Sequence, residues 1–467
     1  MNVMLALGLI SIMICIGFII RVKFKIFHKM LLPTSILAGL IGLIVMNSGL
    51  VTFVQSDMYV DMVNIFFTIV FISIGLTSTS KKNAPSSKEI AKGSLGMGII
   101  WNIFYTLTPV IGALLLFTGI GKMFGFNPIY GLMIPFAFAQ GPGQAATFGT
   151  IMEQQYGIED AAVVGITFAS IGFLICFIIG VPLARYGIKK GLAKNMDSES
   201  IKEHVERGYY ATDEERSSLG KETMFTGNLD TMTFHFGIIG LCYVMAYFMA
   251  GAVSLVPGIG ESLGGMLFIY GMFAAYIVKY VMKVMKIDYM LDNTFQSKFT
   301  GWATDYLIVT SFMSITFEVI GQWIIPILIV SIIIACLTLM ISIYLGQRIG
   351  GENDFERTLG LFGTSTGQVP SGIALVRIVD PSLTTSTIVE LGLMNIAMIP
   401  SYGTVLIVFG ISSGALSWST GILLLLAHLP IFLVALKVVK AWGKPTFALG
   451  GTKPKTVPIV EEIPGKE

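Results

Sequence analysis

Along most of this chain, uninterrupted apolar runs alternate with short polar loops. In the first half the runs at about 2–20, 30–47, 60–79, 94–121 and 161–184 are long enough to cross roughly 30 Å of hydrocarbon as helices. One stretch among them breaks the pattern. Residues 136–153 read FAFAQGPGQAATFGTIME, with Gly141, Pro142 and Gly143 together. Proline removes a backbone donor, and glycine lowers the cost of irregular dihedrals. Backbone groups freed there find no partner in lipid, so the break requires an enclosing protein wall or a water-filled cavity. Gln140, Gln144, Thr147 and Thr150 flank it with neutral amides and hydroxyls. A single Gly-Pro pair also fits a kink that merely packs; a second copy of the pattern shifts the balance.

Lys and Arg set the orientation. Arg21, Lys23, Lys25 and Lys29 follow the first run, which puts that loop in the cytoplasm and the N-terminus outside. The loop at 48–59 carries Asp57 and no base, and is expected outside. Lys81, Lys82, Lys88 and Lys92 mark the third loop as cytoplasmic. If 136–153 crossed the membrane, the acidic loop at 153–160 would lie inside and Arg185, Lys189, Lys190 and Lys194 outside, against the rule. A re-entrant dip from the outer face removes both conflicts.

Residues 185–231 form the long polar segment and read as a cytoplasmic linker. The second half then repeats the first in the opposite sense, with runs at about 232–256, 264–282, 303–320, 322–346 and 385–408. Lys279, Lys283 and Lys286 mark its internal loop. A second broken stretch, GLFGTSTGQVPSGIALVR at 360–377, has clustered glycines, a proline and hydroxyls. Arg348 and Arg357 precede it and Arg377 follows, so it enters from the cytoplasm and returns there. Gly143-Gln144 aligns on Gly367-Gln368, and Phe71-Ile72-Ser73-Ile74 on Phe312-Met313-Ser314-Ile315. Inverted repeats with paired discontinuous elements are an architecture of secondary transporters, and the breaks point to the site.

The expected fold is therefore an all-α integral membrane protein of two inverted-topology repeats. Each has about five transmembrane helices and a re-entrant hairpin, and one extra C-terminal helix follows. The boundaries are 1–184 and 232–408 for the repeats, 185–231 for the linker, 409–442 for the extra helix (a run at 419–440) and 443–467 for a Pro- and Gly-rich, disordered cytoplasmic tail.

Composition agrees: the chain is 54% hydrophobic and 12% charged, roughly half the charged fraction of an average soluble protein. A net charge of +2, without a long basic run, gives no reason to expect nucleic acid. Cys15, Cys176, Cys242 and Cys336 lie in apolar runs without metal or redox spacing and read as packing residues. The first run lacks a basic leader and cleavage site, and reads as a retained helix. His28, His204, His235 and His428 show no metal spacing and receive no role.

These features together resemble the sodium/glutamate symporter family, related to the hydroxycarboxylate carriers. The resemblance rests on LLPTSILAGLIGLI (31–44), FFTIVFISIGL (66–76), GPGQAATFGTIMEQQYG (141–157), GVPLARY (180–186) and GLFGTSTGQVPSGIALV (360–376), and reaches to about residue 408. Where the family has a Gly-Gly-His-Gly type sequence at the first break, this chain has Gly141-Pro142-Gly143-Gln144. The long central loop and the extra helix are further departures. The extra helix ends at Lys437 and Lys440, which puts the C-terminus in the cytoplasm, and the resemblance implies a multi-pass homodimer in a bacterial inner membrane. It further implies symport of sodium with glutamate or a similar anionic amino acid, and a domain carrying both hairpins in an elevator-like movement. No enzymatic activity and no cofactor beyond the coupling ion are expected; the alternative is a proton-coupled or exchanging carrier of another organic anion, a di- or hydroxycarboxylate.

Candidate solute contacts are Gly141, Pro142, Gly143, Gln144, Thr147, Gly367, Gln368, Ser371 and Arg377. Candidate sodium ligands are Thr364, Ser365, Thr366 and Asn64. Neutral oxygens can replace the hydration of a sodium ion without trapping it. Asp305, Glu318 and Asn395 are polar groups within or at the ends of helices, where such residues default to functional candidates. A channel would need a continuous polar lining, and an enzyme a nucleophile, base or metal constellation; the chain offers polar residues gathered at two breaks.

Overall fold

The structure, a computed structural model, describes residues 2–24, 27, 33–51, 53–77, 86–195, 209, 212, 216, 218–255, 267–315, 323–381 and 383–449. Lys25, His28, Lys29, Lys81, Lys82, His204, Glu318, most of the linker and the tail from 450 onward lie outside them.

The first half contains α1 (Asn2–Lys23), α2 (Thr34–Asn47), α3 (Ser56–Leu76) and α4 (Ser87–Thr118). Four short pieces follow, α5 (Ile120–Phe124), α6 (Ile129–Leu132), α7 (Ile134–Phe138) and α8 (Pro142–Tyr156), and then α9 (Ala161–Lys190). The second half contains α10 (Thr231–Ser254), α11 (Leu267–Val284), α12 (Asn293–Met313), α13 (Ile324–Gly346), α14 (Asp354–Thr366), α15 (Val369–Val379), α16 (Thr387–Ala397) and α17 (Ser401–Ser412). α18 (Trp418–Val438) is the extra helix. The protein is all-α, and among the described residues eight helices are long and apolar enough to cross a membrane, or nine if the bent pair α16–α17 counts as one span.

Several boundaries depart from the apolar runs. The run at 30–47 gives a helix of only 14 residues, about 21 Å at 1.5 Å per residue. Pro33 starts it, and the amide of its last residue, Asn47, reaches across to the Ile315 carbonyl at 2.9 Å. The helix expected at 303–320 begins at Asn293, capped by Asp292 through the Phe295 N–H at 2.7 Å, and ends at Met313. Its early turns carry Gln296, Thr300 and Thr304, whose polarity hid them from a hydropathy reading. The run at 385–408 is two helices bent by 50° at a break that contains Pro400. The carbonyl of Ala397, freed at this break, accepts the Asn102 amide at 2.7 Å.

Two helix bundles result. In one, α3 packs chiefly on α11 and α12, α2 on α1 and α12, and α10 on α11. In the other, α4 gathers α16, α18, α13 and α6, while α9 gathers α7, α8, α14 and α15. Between them, Phe312 of α12 lies with its ring centroid 4.6 Å from Phe173 and 4.9 Å from Phe177, both on α9. His235, left without a role by its spacing, pins the first bundle. Its Nε2 accepts the Asp292 N–H at 3.1 Å, and its Nδ1 lies 2.8 Å from the Thr231 carbonyl. Of the cysteines, Cys176 and Cys242 are buried, but Cys15 and Cys336 are on outer faces and do not pack inside.

The tail expected to be disordered is ordered through its first residues. Gly443 N–H and Thr446 N–H donate to the Arg348 and Gln347 carbonyls at 2.7 and 2.8 Å, completing the open end of α13. The buried Phe447 ring packs edge-on against Phe355 at 5.4 Å. Burying one aromatic and pairing two exposed helix-end carbonyls outweighs the Pro/Gly-rich composition here.

Candidate functional site

Both broken stretches fold as helical hairpins whose breaks fall one or two residues before a proline. In the first, Gly141 has φ 83° and ψ −176°, and Pro142 opens α8. Proline suits this position because the first helical N–H has no partner to lose; it starts a helix here rather than interrupting one. In the second, Gln368 has φ 143° and ψ 172° before Val369 and Pro370. That backbone region is almost reserved to glycine, so a glutamine there marks stored strain. The hairpins therefore correspond with Gly141 on Gln368, and the sequence alignment of Gln144 on Gln368 is out of register.

The arms of the second hairpin cross where glycine removes side chains. A Cβ at Gly363 would lie 2.7 Å from the Gly372 Cα, and one at Gly372 would lie 2.5 Å from the Gly360 carbonyl. The tips of the two hairpins touch each other. A Cβ at Gly141 would stand 2.9 Å from Gln368 Oε1 and 3.4 Å from the Gly367 carbonyl.

Beside the tips is a cavity of about 230 Å³ between the two bundles. That is below the usual range for drug-sized ligands, about 300–1,000 Å³, and suits a small solute. Asn64, Val63 and Phe67 of α3 and Phe268 of α11 form one wall. The other comprises Trp101, Ala139, Gln140, Gln144, Gln368, Val369, Pro370 and the bent α16–α17 segment with Asn395, Met398, Ile399, Ser401 and Tyr402. None of these residues is charged. Gln140 is held by the buried Tyr105 hydroxyl, which donates to its Oε1 at 2.9 Å, while Tyr105 stacks on Trp101 at 4.6 Å. Asn395 donates to the Leu391 and Gly392 carbonyls at 3.1 and 2.9 Å.

The sequence candidates divide accordingly. Gln144 and Gln368 line the cavity, and Gly141, Pro142, Gly143 and Gly367 form the tips beside it. Thr147 and Thr150 lie further along α8 and do not line it. Asn64 is on the cavity wall formed by α3, not with the residues at 364–366. Thr364, Ser365 and Ser371 are buried, and their hydroxyl oxygens have no hydrogen-bond partner. Thr366 differs: its hydroxyl donates to the Phe362 carbonyl at 2.7 Å, ordinary back-bonding within the helix. Arg377 stands apart from the cavity. It forms a bidentate pair with Asp305 at 2.6 and 3.0 Å, linking α15 to α12. Its distance from the break follows from helix geometry, since two turns of α15 separate it from Val369.

Trp101, Tyr402, Ser401, Met398 and Ile399 escaped the sequence reading. Pro400, with Asn395 before it and Ser401-Tyr402-Gly403 after it, is the signal that could have found most of them. Trp101 had none, being one more aromatic in an apolar run.

A family model described as sodium/glutamate symporter matches residues 1–380, most of the chain and both hairpins. No curated protein in the comparison matches the chain.

Proposed function

The chain belongs to the sodium/glutamate symporter family, and on that footing we propose that the cavity at the hairpin tips binds glutamate or a similar anionic amino acid for sodium-driven uptake. The family indicates a transporter rather than an enzyme. The observation that carries the reading is the meeting of two helix starts, at Pro142 and Val369, beside a cavity whose lining has no charged side chain. Helix N-termini present unpaired N–H groups and a partial positive charge. Two of them can attract a carboxylate without the fixed cation that would hinder its release. Broken helices serve anionic groups in this way in other transporters.

Sodium is assigned to the other end of the break. The C-terminus of α14 carries partial negative charge, and the partnerless hydroxyls of Thr364, Ser365 and Ser371 gather about it. Buried hydroxyls without partners call for an explanation, and a sodium ion accepts such oxygens. In this reading the halves are inverted repeats, both hairpins are re-entrant, and the N-terminus lies outside with the C-terminus in the cytoplasm. The bundle holding the hairpins slides as an elevator against the α1–α3 and α10–α12 bundle within a homodimer of a bacterial inner membrane.

Counterflow in proteoliposomes, across a panel of amino and dicarboxylic acids, tests the substrate. Glutamate or a close analogue is expected to exchange, and an inward sodium gradient to drive its accumulation. Equal uptake driven by a proton gradient in sodium-free buffer would favour the proton-coupled or exchanging carrier instead.

A further inference from the structure

A cluster of acids at the base of the second hairpin lies apart from the cavity at the tips. Asp354, Glu356 and Arg357 on α14, Asp380 just past α15 and Glu390 on α16 are each no more than 1% exposed. Three of the four carboxyls are well paired. Arg357 donates to both oxygens of Glu390 at 2.6 Å and to Asp354 at 2.9 Å. Asp380 accepts the Thr384 and Thr385 N–H groups at 3.2 and 2.8 Å, the Thr384 hydroxyl at 3.1 Å and the Asn195 amide at 3.2 Å.

Glu356 is different. Its Oε1 accepts the Lys194 N–H at 2.7 Å, and its buried Oε2 has no partner. An ionised carboxyl removed from water needs a paired cation or several donors. Among the described residues no Lys or Arg forms an ion pair with it, Arg185, Lys189 and Lys190 of α9 included. Arg357 is held as described, the Lys194 ammonium pairs with Glu352 at 2.8 Å, and Lys92 donates to the Gly350 carbonyl. Arg348 lies over the Tyr344 ring, and Arg377 pairs with Asp305. Asp380 adds a like charge.

The same contacts form a strap. Lys194 N–H reaches Glu356 near the start of the hairpin, and the Asn195 amide reaches Asp380 at its end. Residues 191–195, just past α9, thereby span both ends of the hairpin.

We propose that Glu356 is a proton-binding site that latches this strap: protonated, it keeps residues 191–195 docked across the base of the second hairpin, and ionised, it releases them. A proton on Oε2 removes the buried charge, and Oε1 keeps the Lys194 N–H. The inference rests on the proposed topology only for the side from which the proton comes, the cytoplasm.

Glu356 lies outside every candidate span. Burial pushes its carboxyl from the ordinary 4.5 up to about 7; Asp380 adds to the rise, and the Lys194 and Glu356 N–H groups and the charge of the Lys194 ammonium oppose it. In the released strap the carboxyl returns to its ordinary value, so the docked state holds the extra proton between pH 4.5 and about 7. Docking is therefore strongest in acid, weakens as pH rises toward 7 and is level above it.

Hydrogen exchange on the full-length protein in nanodiscs, corrected for intrinsic rates, reads this directly in the 191–195 amides. Wild-type protection should fall by up to about tenfold per pH unit between pH 5 and 7 and then level off. Glu356→Gln should hold protection high and independent of pH. Asp380→Asn should move the wild-type transition to lower pH. A flat wild-type profile, or a Glu356→Gln variant that tracks wild type, overturns the proposal. The readout is amide protection in the resting protein, so it stands apart from the outcome of the uptake assays.

Discussion

Gly141 and Gln368 occupy the same place in their two hairpins and touch across the gap. Each is the last residue before a helix, each has a positive φ (83° and 143°) with ψ near 180°, and a Cβ on Gly141 would stand 2.9 Å from Gln368 Oε1. One site uses glycine where the backbone requires it. The other keeps a side chain there, at the edge of the cavity, in spite of the strain.

That strain gives a prediction with opposite signs for stability and binding. A residue held in such a region costs about 1–3 kcal/mol, and the greater freedom of glycine in the unfolded chain offsets about 0.4–1 kcal/mol of the relief. Gln368→Gly should raise the thermal unfolding temperature in detergent while weakening solute binding about tenfold or more. A variant less stable than wild type would show that the backbone at 368 is not strained.

The buried Arg357 pair predicts the reverse pattern. Glu390 accepts two bonds from Arg357 at 2.6 Å and one from the Ser386 hydroxyl at 2.7 Å, all fully buried. Breaking a buried ion pair costs about 3–5 kcal/mol when the other charge is left alone; here Asp354 stays paired with Arg357 at 2.9 Å, so the loss falls toward the low end of that range. Glu390→Gln should therefore sharply lower the denaturation midpoint and the yield of monodisperse protein. Because Asp354 shares Arg357, only a joint change of Asp354, Arg357 and Glu390 to apolar residues removes every buried charge, and it should recover part of that loss; no recovery would mean that the loss comes from packing rather than from an unpaired charge.

Much of this arrangement was legible in the sequence, for a physical reason. Lipid makes apolar length and basic loops informative, and Gly-Pro clusters stand out against that background, so both hairpins were visible at Gly141 and at 367–370. Register was not. Phe71 lies more than a turn before the end of α3, whereas its aligned partner Phe312 is the penultimate residue of α12, because short apolar matches recur by chance. The fate of Arg377 depended on Asp305, 72 residues away in sequence. The ordering of Thr446 depended on the Gln347 carbonyl, 99 positions earlier, and that of Phe447 on the Phe355 ring. Pairings of that range leave no local pattern to read.

The hydroxyls of the second hairpin separate two roles that composition alone could not. Thr364, Ser365 and Ser371 have partnerless buried oxygens, whereas the Thr366 hydroxyl is engaged by Phe362. Thr364→Ala and Ser371→Ala should each raise the sodium concentration for half-maximal uptake several-fold, with little change in the maximal rate at saturating sodium. Thr366→Ala should leave the sodium dependence near wild type. If Thr366→Ala shifts it as strongly as the other two, the ion lies nearer the hairpin tip than the free hydroxyls indicate.

Two hairpins that serve one solute must place side chains from both on the same bound molecule. Gln144, in the first turn of α8, and Gln368, just before α15, line the same cavity although they are not equivalent in the two hairpins. Each amide can donate to a carboxylate or accept from an ammonium group. A lost hydrogen bond to a charged group is worth about 1.5–3 kcal/mol, or about ten- to a hundredfold in affinity. Gln144→Ala and Gln368→Ala should each weaken glutamate binding by about that factor, measured by calorimetry in sodium-containing buffer. Because both act on one bound molecule, the double mutant should lose less than the sum of the single losses, whereas independent sites add to within about 0.3–0.5 kcal/mol. The change at 368 keeps the strained backbone, so Gln368→Ala should not reproduce the gain in stability expected of Gln368→Gly, and the two substitutions together separate the side chain's contact from its conformational cost. Near-wild-type affinity in both single mutants, with an additive double mutant, would mean that these amides only pack the tips and that the solute binds elsewhere.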